Sequence, residues 1–568
     1  MDTSVTNVYH DFIWRGTMSE LAAQLYDLPI VTLGGFREST QKILARYSET
    51  SWHTEERRKE VIDALLRINR GVGALTPEVE DTIHRLFNGA IEAAHQSVVM
   101  GGPGYVLNKA AVAHRIALLN SNQESPLGCF FCVADYDIVQ TELTNIRTPN
   151  MGQEGTLINM PVSGEYEHSP VSAIPLPRTG WYSQVEENIR SNYHPIFKEL
   201  EGSTRTLMEE RLEQALSVTR WAYRNSNTIG EWATRILGRL FNIEGNLGIP
   251  LLPASDSAIR SLLVEGFEFL LAEENRTRFV KSHNESTDKI RSHGMNPGST
   301  ERNDSYVPFF YECPNKGCHR ARTELYYDQK GNLATLSGKC PQCGERIEIE
   351  INVDHPSLAE HSEWMSPRVD SRQIVIDTLL PVVTHVGGGG ETAYYAQVIP
   401  AARALRIPFP AFVKYPRVYF NTPWNEALAK QLLEKELTPI QRQDMFKLTG
   451  KIARFRRKNR FEEMNKTVEE FGKFLLESHS QLKKELEEVS ATLQKSPTDE
   501  LRFTRLDIER YLSWAYGEYT EDKMGQEVSW SWIEWSLNSS FPDLFGPYAR
   551  AYVPEMKNGA TLFINFIV

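Results

Sequence analysis

VGGGGETAYYAQ, residues 386–397, places four consecutive glycines between an apolar run and a helix, and this stretch predicts the fold. The apolar run before it, residues 378–386 (TLLPVVTHV), predicts a buried strand, and residues 391–405 carry apolar side chains at helical spacing. Because glycine has no Cβ, backbone N–H groups in such a turn can face an anion at the helix N-terminus, where the helix dipole also favours negative charge. A flexible turn without a ligand is the alternative interpretation.

A second glycine-rich turn lies earlier in the chain, at residues 97–104 (SVVMGGPG). It follows a short apolar stretch and precedes a helix that carries Lys109 in its second turn. A lysine there can reach a phosphate or carboxylate held by the turn, although most helix lysines are simply solvated. Neither turn has the spacing of a P-loop or a dinucleotide fingerprint, so the pair predicts an α/β fold without naming a ligand.

The apolar stretch at residues 127–133 (LGCFFCV) predicts a central strand that ends at Asp135 and Asp137. Carboxylates at the carboxyl end of a strand lie where ligands bind in open α/β sheets. Cys129 and Cys132 have CxxC spacing, but residues three apart on an extended strand point to opposite faces. We therefore expect two buried apolar cysteines rather than a redox or metal pair.

Residues 406–413 (RIPFPAFV) resemble another buried strand and lead to Lys414 and Arg417. This basic pair can bind a carboxylate or phosphate, or it can cap the fold.

Bulk composition is that of a globular protein with two to four domains: 568 residues, 41% hydrophobic and 24% charged. The formal net charge of -12 argues against extensive coating of nucleic acid. No apolar run approaches the roughly 18 residues that span a bilayer, and the first residues lack a basic start followed by an apolar stretch. We therefore expect no membrane association and a cytoplasmic location. Six cysteines, four of them in one array, fit a reducing compartment.

The most specific chemical motif is CPNKGC, from Cys313 to Cys318, followed after 21 residues by CPQC, from Cys340 to Cys343. Two such knuckles separated by a strand, a turn and a second strand describe a zinc ribbon, and residues 347–352 alternate as a third strand would. Four thiolates complete a tetrahedral shell at about 2.3 Å, which leaves no open position for catalysis. We therefore predict a structural zinc ion.

The expected organisation has six parts. They are a first half of an α/β core with a helical connecting insert (1–274), a polar surface linker (275–308), a zinc ribbon insert (309–354), the second half of the core (355–422), a helical coiled coil (423–500) and an aromatic-rich segment that packs back on the core (501–568). Apolar residues recur every seven positions in the coiled coil, at Phe461, Val468, Leu475, Leu482 and Val489. Residues 38–97, before the first glycine turn, show helical periodicity that includes Ile91.

With these motifs in this order, the chain resembles the bacillithiol biosynthesis cysteine-adding family over most of its length. The residues that match the family's blocks are Gln96, Gly102, Pro103 and Lys109; Asp135 and Asp137; Ser366, Pro367, Val369 and Gln373; Gly387, Gly388, Gly390, Glu391, Tyr394 and Gln397; and Pro416 and Arg417.

The resemblance implies a Rossmann-like parallel-sheet core interrupted by inserts, followed by a coiled coil that serves as a homodimer interface. It also implies a ligase that joins the carboxyl group of cysteine to the amine of a glucosaminyl-malate conjugate. The chain departs from the family at Ala134 and Tyr136, where the family has Glu and His, at Val98, at Gly389 in place of proline, and in its zinc ribbon. Histidine most readily shuttles protons near neutral pH, and Tyr136 takes its place here. The resemblance therefore predicts the fold of this chain more firmly than its substrate.

The expected site combines both turns on opposite sides of the point where strand order reverses. Asp135 and Asp137 orient the cysteine ammonium, the sugar hydroxyls or the attacking amine, and Glu391 is either a base or a helix cap. Amide formation from a free carboxylate is uphill, so a nucleotide such as ATP or ADP, or a phosphate, is expected to take part. The expected binding set is Gln96, Gly101, Gly102, Pro103, Gly104, Lys109, Gly387, Gly388, Gly389, Gly390, Tyr394, Gln397 and Arg417.

Two other functions fit parts of the chain. Residues 451–460 (KIARFRRKNR) hold six basic residues in ten, which indicates either a solvated helix face or contact with phosphate or RNA. Together with the zinc ribbon, this run favours an RNA-binding relative of aminoacyl-transfer enzymes, whereas the net charge of -12 favours the ligase and makes nucleic acid an unexpected partner. An assembly protein that keeps the fold without the chemistry is the third possibility.

Overall fold

The computed structural model describes residues 4–16, 19–27, 29–152, 155–518 and 524–566. Its strands in these ranges are β1 Ala90–Gln96, β2 Gly128–Ala134, β3 Asn145–Thr148, β4 Thr156–Asn159, β5 Leu251–Pro253, β6 Phe309–Glu312, β7 Arg322–Glu324, β8 Tyr326–Lys330, β9 Leu333–Lys339, β10 Arg346–Asn352, β11 Met365–Pro367, β12 Val382–Gly387, β13 Ala411–Lys414, β14 Arg417–Asn421 and β15 Thr561–Asn565.

The α-helices in the same ranges are α1 Val5–Arg15, α2 Glu20–Tyr26, α3 Arg37–Tyr47, α4 Glu55–Gly71, α5 Pro77–Arg85, α6 Tyr105–Asn120, α7 Thr141–Thr144, α8 Trp181–Lys198, α9 Gly202–Arg224, α10 Ile229–Gly238, α11 Ser257–Leu271, α12 Glu273–Ser292, α13 Arg372–Asp377, α14 Gly389–Leu405, α15 Pro423–Glu434, α16 Arg442–Arg457, α17 Phe461–Lys495, α18 Asp499–Tyr516, α19 Gln526–Ser529, α20 Trp532–Ser539 and α21 Gly546–Ala551.

A parallel five-stranded sheet forms the core, in the order β13-β12-β1-β2-β5. Every residue of β2 is buried, as expected of a parallel sheet that is covered on both faces. Cys129 packs into the hydrophobic cluster on one face and Cys132 into the cluster on the other. The two thiols therefore point to opposite faces of the strand, as the sequence predicts. Burial raises the pKa of each thiol to about 12.

Strand order reverses beside β1. The chain runs from β1 to β2 and β5 on one side, and later adds β12 and β13 on the other. Crevices for ligands form at such a reversal, outside the carboxyl ends of the strands. The two glycine turns follow β1 and β12, so both lie at the carboxyl edge of the sheet.

Several predicted boundaries were wrong in detail. Ile91 lies in β1 rather than in a helix, because this strand is buried on both faces and shows no alternation. The strand predicted at 378–386 begins only at Val382, after a turn that follows α13. The strand predicted at 406–413 begins at Ala411, because Arg406 ends α14 in a left-handed conformation (φ 59°).

The polar linker predicted at 275–308 is largely a helix, since α12 occupies residues 273–292. It packs against α11 and α14 through Phe279, Val280 and Ile290, which are all buried. The apolar residues of α12 are few, but they lie on one face, and His283 and Thr287 extend that face with buried polar side chains. Residues 293–308 have no regular secondary structure, yet they bury Tyr306 and Val307.

The cysteine-bearing insert consists of two small antiparallel sheets, β11-β6-β7 and β10-β9-β8. Residues of β10 alternate between exposed and buried, as the predicted third ribbon strand requires.

The C-terminal helices and tail wrap around the core. Met464, Val468, Phe471, Leu475 and Leu482 of α17 are buried against α16, α18 and β15 of the same chain. The heptad positions therefore form an intramolecular seam and not, over this stretch, a free dimer interface.

The tail adds β15 beside β14 and buries four tryptophans, at positions 514, 530, 532 and 535, as expected of the aromatic-rich segment. Within the described ranges, no helix is both long and apolar enough to cross a membrane.

Candidate active site

Asp137 lies just beyond the end of β2, and its side chain is a quarter exposed. The Gln96 side chain, at the end of β1, donates to Asp137 Oδ2 at 2.6 Å, and Arg322 Nη1 lies 3.3 Å from Asp137 Oδ1. The structure thus brings two predicted residues together and adds Arg322, which the sequence analysis missed. A carboxylate fixed from two sides and open on a third can accept a hydrogen bond from an amine or ammonium group.

Asp135 has a different environment, because it is only 4% exposed. Both of its carboxylate oxygens accept hydrogen bonds from Ser255, one from the backbone N–H at 2.8 Å and one from the hydroxyl. Burial raises the pKa of Asp135 to about 6. The prediction that Asp135 orients a ligand is therefore not supported by its contacts, which instead fix the loop between β5 and α11.

Glu391 joins the two sides of the crevice, which lies outside the carboxyl ends of β1 and β12. Its Oε2 accepts from Lys109 Nζ at 2.6 Å and from the Gly388 N–H at 2.7 Å, and its Oε1 lies 3.2 Å from His385 Nε2. Although burial opposes the charge, Lys109 and His385 hold the pKa of Glu391 well below its usual range. A carboxylate held this firmly in its ionised form is a poor general base, so the alternative role of helix cap fits the contacts better.

Lys109 is 4% exposed and donates its remaining contact to the Ala94 carbonyl at 2.9 Å. The sequence predicts that Lys109 reaches a phosphate or carboxylate held by its own turn, whereas its charged partner in this structure is the Glu391 carboxylate of the second turn.

A second buried layer supports this ion pair, and the sequence analysis did not identify it. Glu92 of β1 is paired with Arg372 of α13 and lies 3.2 Å from His385 Nδ1. Burial would raise the pKa of Glu92, but Arg372 and His385 hold it at about 2. The two ring nitrogens of His385 thus face two carboxylates, Nδ1 that of Glu92 and Nε2 that of Glu391. The signal in the sequence was a charged residue inside an otherwise apolar strand, in AIEAAHQ and again in VVTHVG.

The carboxyl end of β1 also carries His95, which is partly buried. Its Nδ1 lies 2.8 Å from the Gln96 carbonyl, and its Nε2 is hydrogen-bonded to the Tyr105 hydroxyl. Burial and the nearby Lys109 charge lower the pKa of His95 to about 4. The ring is therefore neutral at physiological pH and accepts the tyrosine proton at Nε2.

The first glycine turn is closed. The N–H groups of Gly101 and Gly102 donate to carbonyls of the same turn, and that of Gly104 donates to the Trp530 carbonyl at 3.0 Å. A Cβ on Gly101 would lie 2.6 Å from Ile236. Pro103 has no N–H, and all four residues are buried. The contacts therefore do not support the prediction that Gly101, Gly102, Pro103 and Gly104 cradle an anion, because the N–H groups of the three glycines already have partners.

The second turn is open in its second half. Gly387 belongs to β12 and the Gly388 N–H is taken by Glu391, but a Cβ on Gly389 or Gly390 would meet nothing within 4 Å. These two residues begin α14, whose first N–H groups have no partner within the helix.

A cavity of about 350 Å³ adjoins this helix start and includes Gly388 and Gly389 in its lining. The cavity lies between the sheet edge and α17, and its basic lining residues are His10, Arg15, Lys414, Arg417 and Lys473. Burial, together with the charge of Arg417, lowers the pKa of Lys414 to about 8. Glu469 also lines the cavity and pairs with Lys473 at 3.6 Å, and Arg15 pairs with Asp11, so Lys414 and Arg417 are the main cations beside the helix start. Together with the helix N–H groups they suit an anionic ligand, and part of the positive charge is lost above this pH.

The last two predicted residues face different surroundings. Tyr394 is partly exposed, and its ring lies beside that of Tyr395 with centroids 5.2 Å apart and the ring planes tilted by 38°. Gln397 is fully buried, accepts from the Ser299 N–H at 2.8 Å and donates to the Thr287 hydroxyl at 2.6 Å. Gln397 therefore anchors the segment after α12 and does not reach the crevice.

The four ribbon cysteines form a cluster in which all sulfur atoms lie within 4.8 Å of one another. The Cys313 and Cys343 sulfurs are 3.9 Å apart, as are those of Cys318 and Cys340. A tetrahedral ion about 2.3 Å from each sulfur requires sulfur–sulfur separations of about 3.8 Å. The cluster therefore has the donors and the geometry to hold a metal ion.

A parallel sheet with polar side chains gathered where its strand order reverses defines the class of Rossmann-like proteins that hold small ligands at the carboxyl edge. Within that class, the chain belongs to the bacillithiol biosynthesis BshC family, because residues 6–418 match the sequence model of its N-terminal Rossmann-like domain.

Relatives with curated descriptions carry the name "Putative cysteine ligase BshC". The protein of Cytophaga hutchinsonii is 26% identical over 219 residues, which cover 38% of this chain and 37% of the relative. That of Koribacter versatilis is 23% identical over 370 residues, 62% of this chain and 59% of the relative. That of Lysinibacillus sphaericus is 23% identical over 270 residues, 48% of this chain and 46% of the relative. The chain thus matches less than two thirds of the length of each.

Proposed function

We propose that this chain is a ligase that joins the carboxyl group of cysteine to the amine of an amino-sugar conjugate of the glucosaminyl-malate type, in the synthesis of a bacillithiol-like thiol. Family membership and the names of the relatives support the reaction class. The observation that carries the proposal is the partly exposed carboxylate of Asp137, held by Gln96 and Arg322 at the reversal of strand order.

In the proposed mechanism, Asp137 accepts a hydrogen bond from the amine and orients its lone pair toward the cysteine carboxyl carbon. Amide formation removes one proton from the amine nitrogen and one oxygen from the carboxyl group. The proton lost by the amine passes to water at the exposed side of the Asp137 carboxylate. The neutral pair of His95 and the Tyr105 hydroxyl is proposed to orient the amine and not to take up its proton, since burial and Lys109 lower the pKa of His95 to about 4. The ion pair between Glu391 and Lys109 fixes the position of one side of the crevice relative to the other.

The basic cavity at the start of α14 is the proposed site for the anionic group that takes part in activation. A nucleotide such as ATP, when bound, would place a phosphoryl group on one carboxyl oxygen, so that this oxygen could leave with the phosphate when the amine attacks. Gly389 and Gly390 would offer backbone N–H groups to its phosphates, and Lys414 and Arg417 would balance their charge. A substrate carboxylate could bind to the same N–H groups and cations as a phosphate, so the role of the nucleotide needs a test of its own.

We further propose that the cysteine cluster holds zinc in a structural role, because four thiolates with tetrahedral spacing fill its coordination shell. A location in the cytoplasm agrees with four unpaired thiolate ligands, and it too remains a proposal.

The test is a reconstituted reaction of the purified protein with L-cysteine, ATP and glucosaminyl-malate, followed by mass spectrometry. The expected product has the summed mass of cysteine and the conjugate minus one water. Omission of ATP distinguishes a nucleotide-dependent reaction from one that uses another activating group. A family relative that forms the product under the same conditions serves as the positive control.

The Asp137→Asn variant keeps the shape of the side chain and removes its charge, and it is expected to lower turnover at least about tenfold. Asp328→Asn, at an exposed carboxylate of the ribbon, is the matched control and should leave turnover unchanged. The proposal fails if no product forms while the relative is active, and the role of Asp137 fails if both variants turn over at the same rate as the unmodified protein.

A further inference from the structure

The cysteine cluster is connected to the candidate site through Arg322. This residue begins β7, four positions after Cys318, and the Ala321 N–H between them donates to the Cys318 carbonyl at 2.9 Å. The Cys313 N–H in turn donates to the Ala321 carbonyl at 2.9 Å, so the knuckle determines the path of the chain into β7. His319 and Arg320 both adopt left-handed backbone conformations, with φ of 49° and 62°, which a non-glycine residue does not adopt without support from its surroundings.

From this position, Arg322 reaches into the crevice. Its guanidinium lies 4.3 Å from the centroid of the Phe310 ring, and Nη1 is 3.3 Å from Asp137. Its backbone N–H donates to the His168 carbonyl at 2.8 Å. The side chain is only 7% exposed, so it cannot exchange these contacts for water without movement of the strand.

A second connection starts on the other side of the knuckle. Glu312 immediately precedes Cys313, is fully buried, and pairs with Arg260 and Arg320 at 2.6 Å each. Arg260 donates from Nε to the Ser255 carbonyl at 3.1 Å, and Ser255 holds both oxygens of Asp135. Hydrogen bonds and ion pairs thus connect the residues beside the first knuckle with both Asp135 and Asp137 at the end of β2.

Polar and aromatic contacts flank the knuckle, but the hydrophobic core at the cysteines themselves is small. Its own hydrophobic cluster contains only Cys313, Cys318, Ala321 and Cys340. A core this small does not order a loop by burial alone, and small cysteine-bound modules derive their folding free energy from the metal. Without an ion, the four sulfurs have no mutual attraction that would keep the knuckle closed.

We propose that the cluster of Cys313, Cys318, Cys340 and Cys343 positions a residue of the active site. Metal binding by these four cysteines holds Arg322 against Asp137, and this contact raises the affinity for the substrate that Asp137 orients. Arg322 is a positioning residue in this scheme. Because linkage is reciprocal, occupation of the substrate site also strengthens metal binding. The substrate part rests on the proposed function, whereas the coupling between metal and Asp137 does not.

The first measurement needs no substrate. Hydrogen exchange followed by mass spectrometry compares the zinc-loaded protein with the protein after chelation and after zinc is restored. Chelation is expected to speed exchange in the peptides that contain Arg322 and Val171 at least tenfold, because the Arg322 N–H donates to His168 and the Val171 N–H donates to the Asp137 carbonyl. Exchange in β2 should remain slow, which excludes global unfolding, and restored zinc should reverse the change.

The second measurement is steady-state kinetics of the unmodified protein, Arg322→Ala and Arg322→Lys, each with and without zinc. Loss of zinc and Arg322→Ala should each raise KM for the amine substrate about tenfold with kcat changed less than threefold, and the two changes together should have the effect of one. Arg322→Lys should restore part of the loss. Arg346→Ala, at an exposed ribbon residue, is the control and should change neither constant.

Three outcomes overturn the proposal: unchanged exchange near Asp137 after chelation, effects of zinc loss and Arg322→Ala that multiply, or zinc loss that leaves KM unchanged. If the protein forms no amide product at all, the proposed function fails, and the exchange experiment still decides whether the metal positions Arg322. Zinc content measured on Arg322→Ala ensures that this variant retains its metal.

Discussion

At the scale of single residues, Glu534 shows how burial converts a carboxyl group into a pH-dependent element of stability. It is 2% exposed and accepts hydrogen bonds from the Tyr193 hydroxyl at 2.8 Å and the Trp424 indole at 3.1 Å. Burial raises its pKa to about 8 from an ordinary value of 4.5. The folded protein therefore keeps a proton on Glu534 at pH values where the unfolded chain has lost it.

Between these two values the folded state binds more protons than the unfolded state, so the free energy of unfolding falls as pH rises. The Glu534→Gln variant keeps a hydrogen-bond acceptor and cannot ionise. We expect the unmodified protein to lose stability relative to this variant from pH 5 to pH 8, by up to about 1.4 kcal/mol per pH unit. Urea unfolding midpoints at pH 5, 6.5 and 8 measure the difference, with exposed Glu500→Gln as the control. A constant difference across this range would contradict the assignment.

At the scale of elements, the glycine block between β12 and α14 divides into residues with opposite requirements. A Cβ on Gly387 would lie 2.5 Å from a ring carbon of Phe412, whereas a Cβ on Gly389 would meet no atom within 4 Å. Gly389 is the first residue of α14, a position where proline is well tolerated. The family's proline at this position therefore agrees with the local geometry.

We expect Gly387→Ala to destabilise the protein by about 1–3 kcal/mol, because the ring of Phe412 must move. Gly389→Ala should stabilise it by about 0.4–1 kcal/mol through a less flexible unfolded chain. Thermal unfolding of both variants at one protein concentration measures these effects. Equal effects of the two substitutions would show that the block acts as a uniform flexible turn.

Elements with a clear apolar pattern were predictable from sequence, and α12 shows why others were not. β2 and α14 have continuous or periodic apolar residues, and both were expected within a few positions. The buried face of α12 includes His283 and Thr287. The partner of His283 is Ser299, 16 positions away, and the partner of Thr287 is the Gln397 side chain, 110 positions away. Burial of polar groups that depends on distant partners leaves no periodic signal in a local window.

At the scale of the whole molecule, the candidate site depends on contacts between distant parts of the chain. The motifs predict Gln96, Asp137, Glu391 and Lys109 as residues of one site. They did not predict that Lys109 would pair with Glu391, 282 positions away, or that Arg322, 185 positions from Asp137, would enter the crevice from the ribbon. Such pairings follow from how the insert folds back on the core.

The same scale decides what the heptad pattern of α17 is for. Leu482 is fully buried within a single chain, in the cluster that also contains Tyr511 and Tyr516 of α18, whereas Leu476 is 56% exposed. We expect Leu482→Ala to lower stability by about 2–5 kcal/mol through an unfilled cavity, and Leu476→Ala to change it by less than about 0.5 kcal/mol.

Because the contacts of Leu482 lie within one chain, its loss is expected to be the same at every protein concentration. An interface between two copies would behave differently, since the unfolding temperature of a dimer rises with concentration by mass action. Thermal unfolding over a hundredfold concentration range, paired with sedimentation velocity, separates the two cases. If Leu482→Ala converts a dimer to a monomer while the chain stays folded, the seam is an interface after all. If the unfolding temperature falls equally at all concentrations, any homodimer of this protein must use another surface.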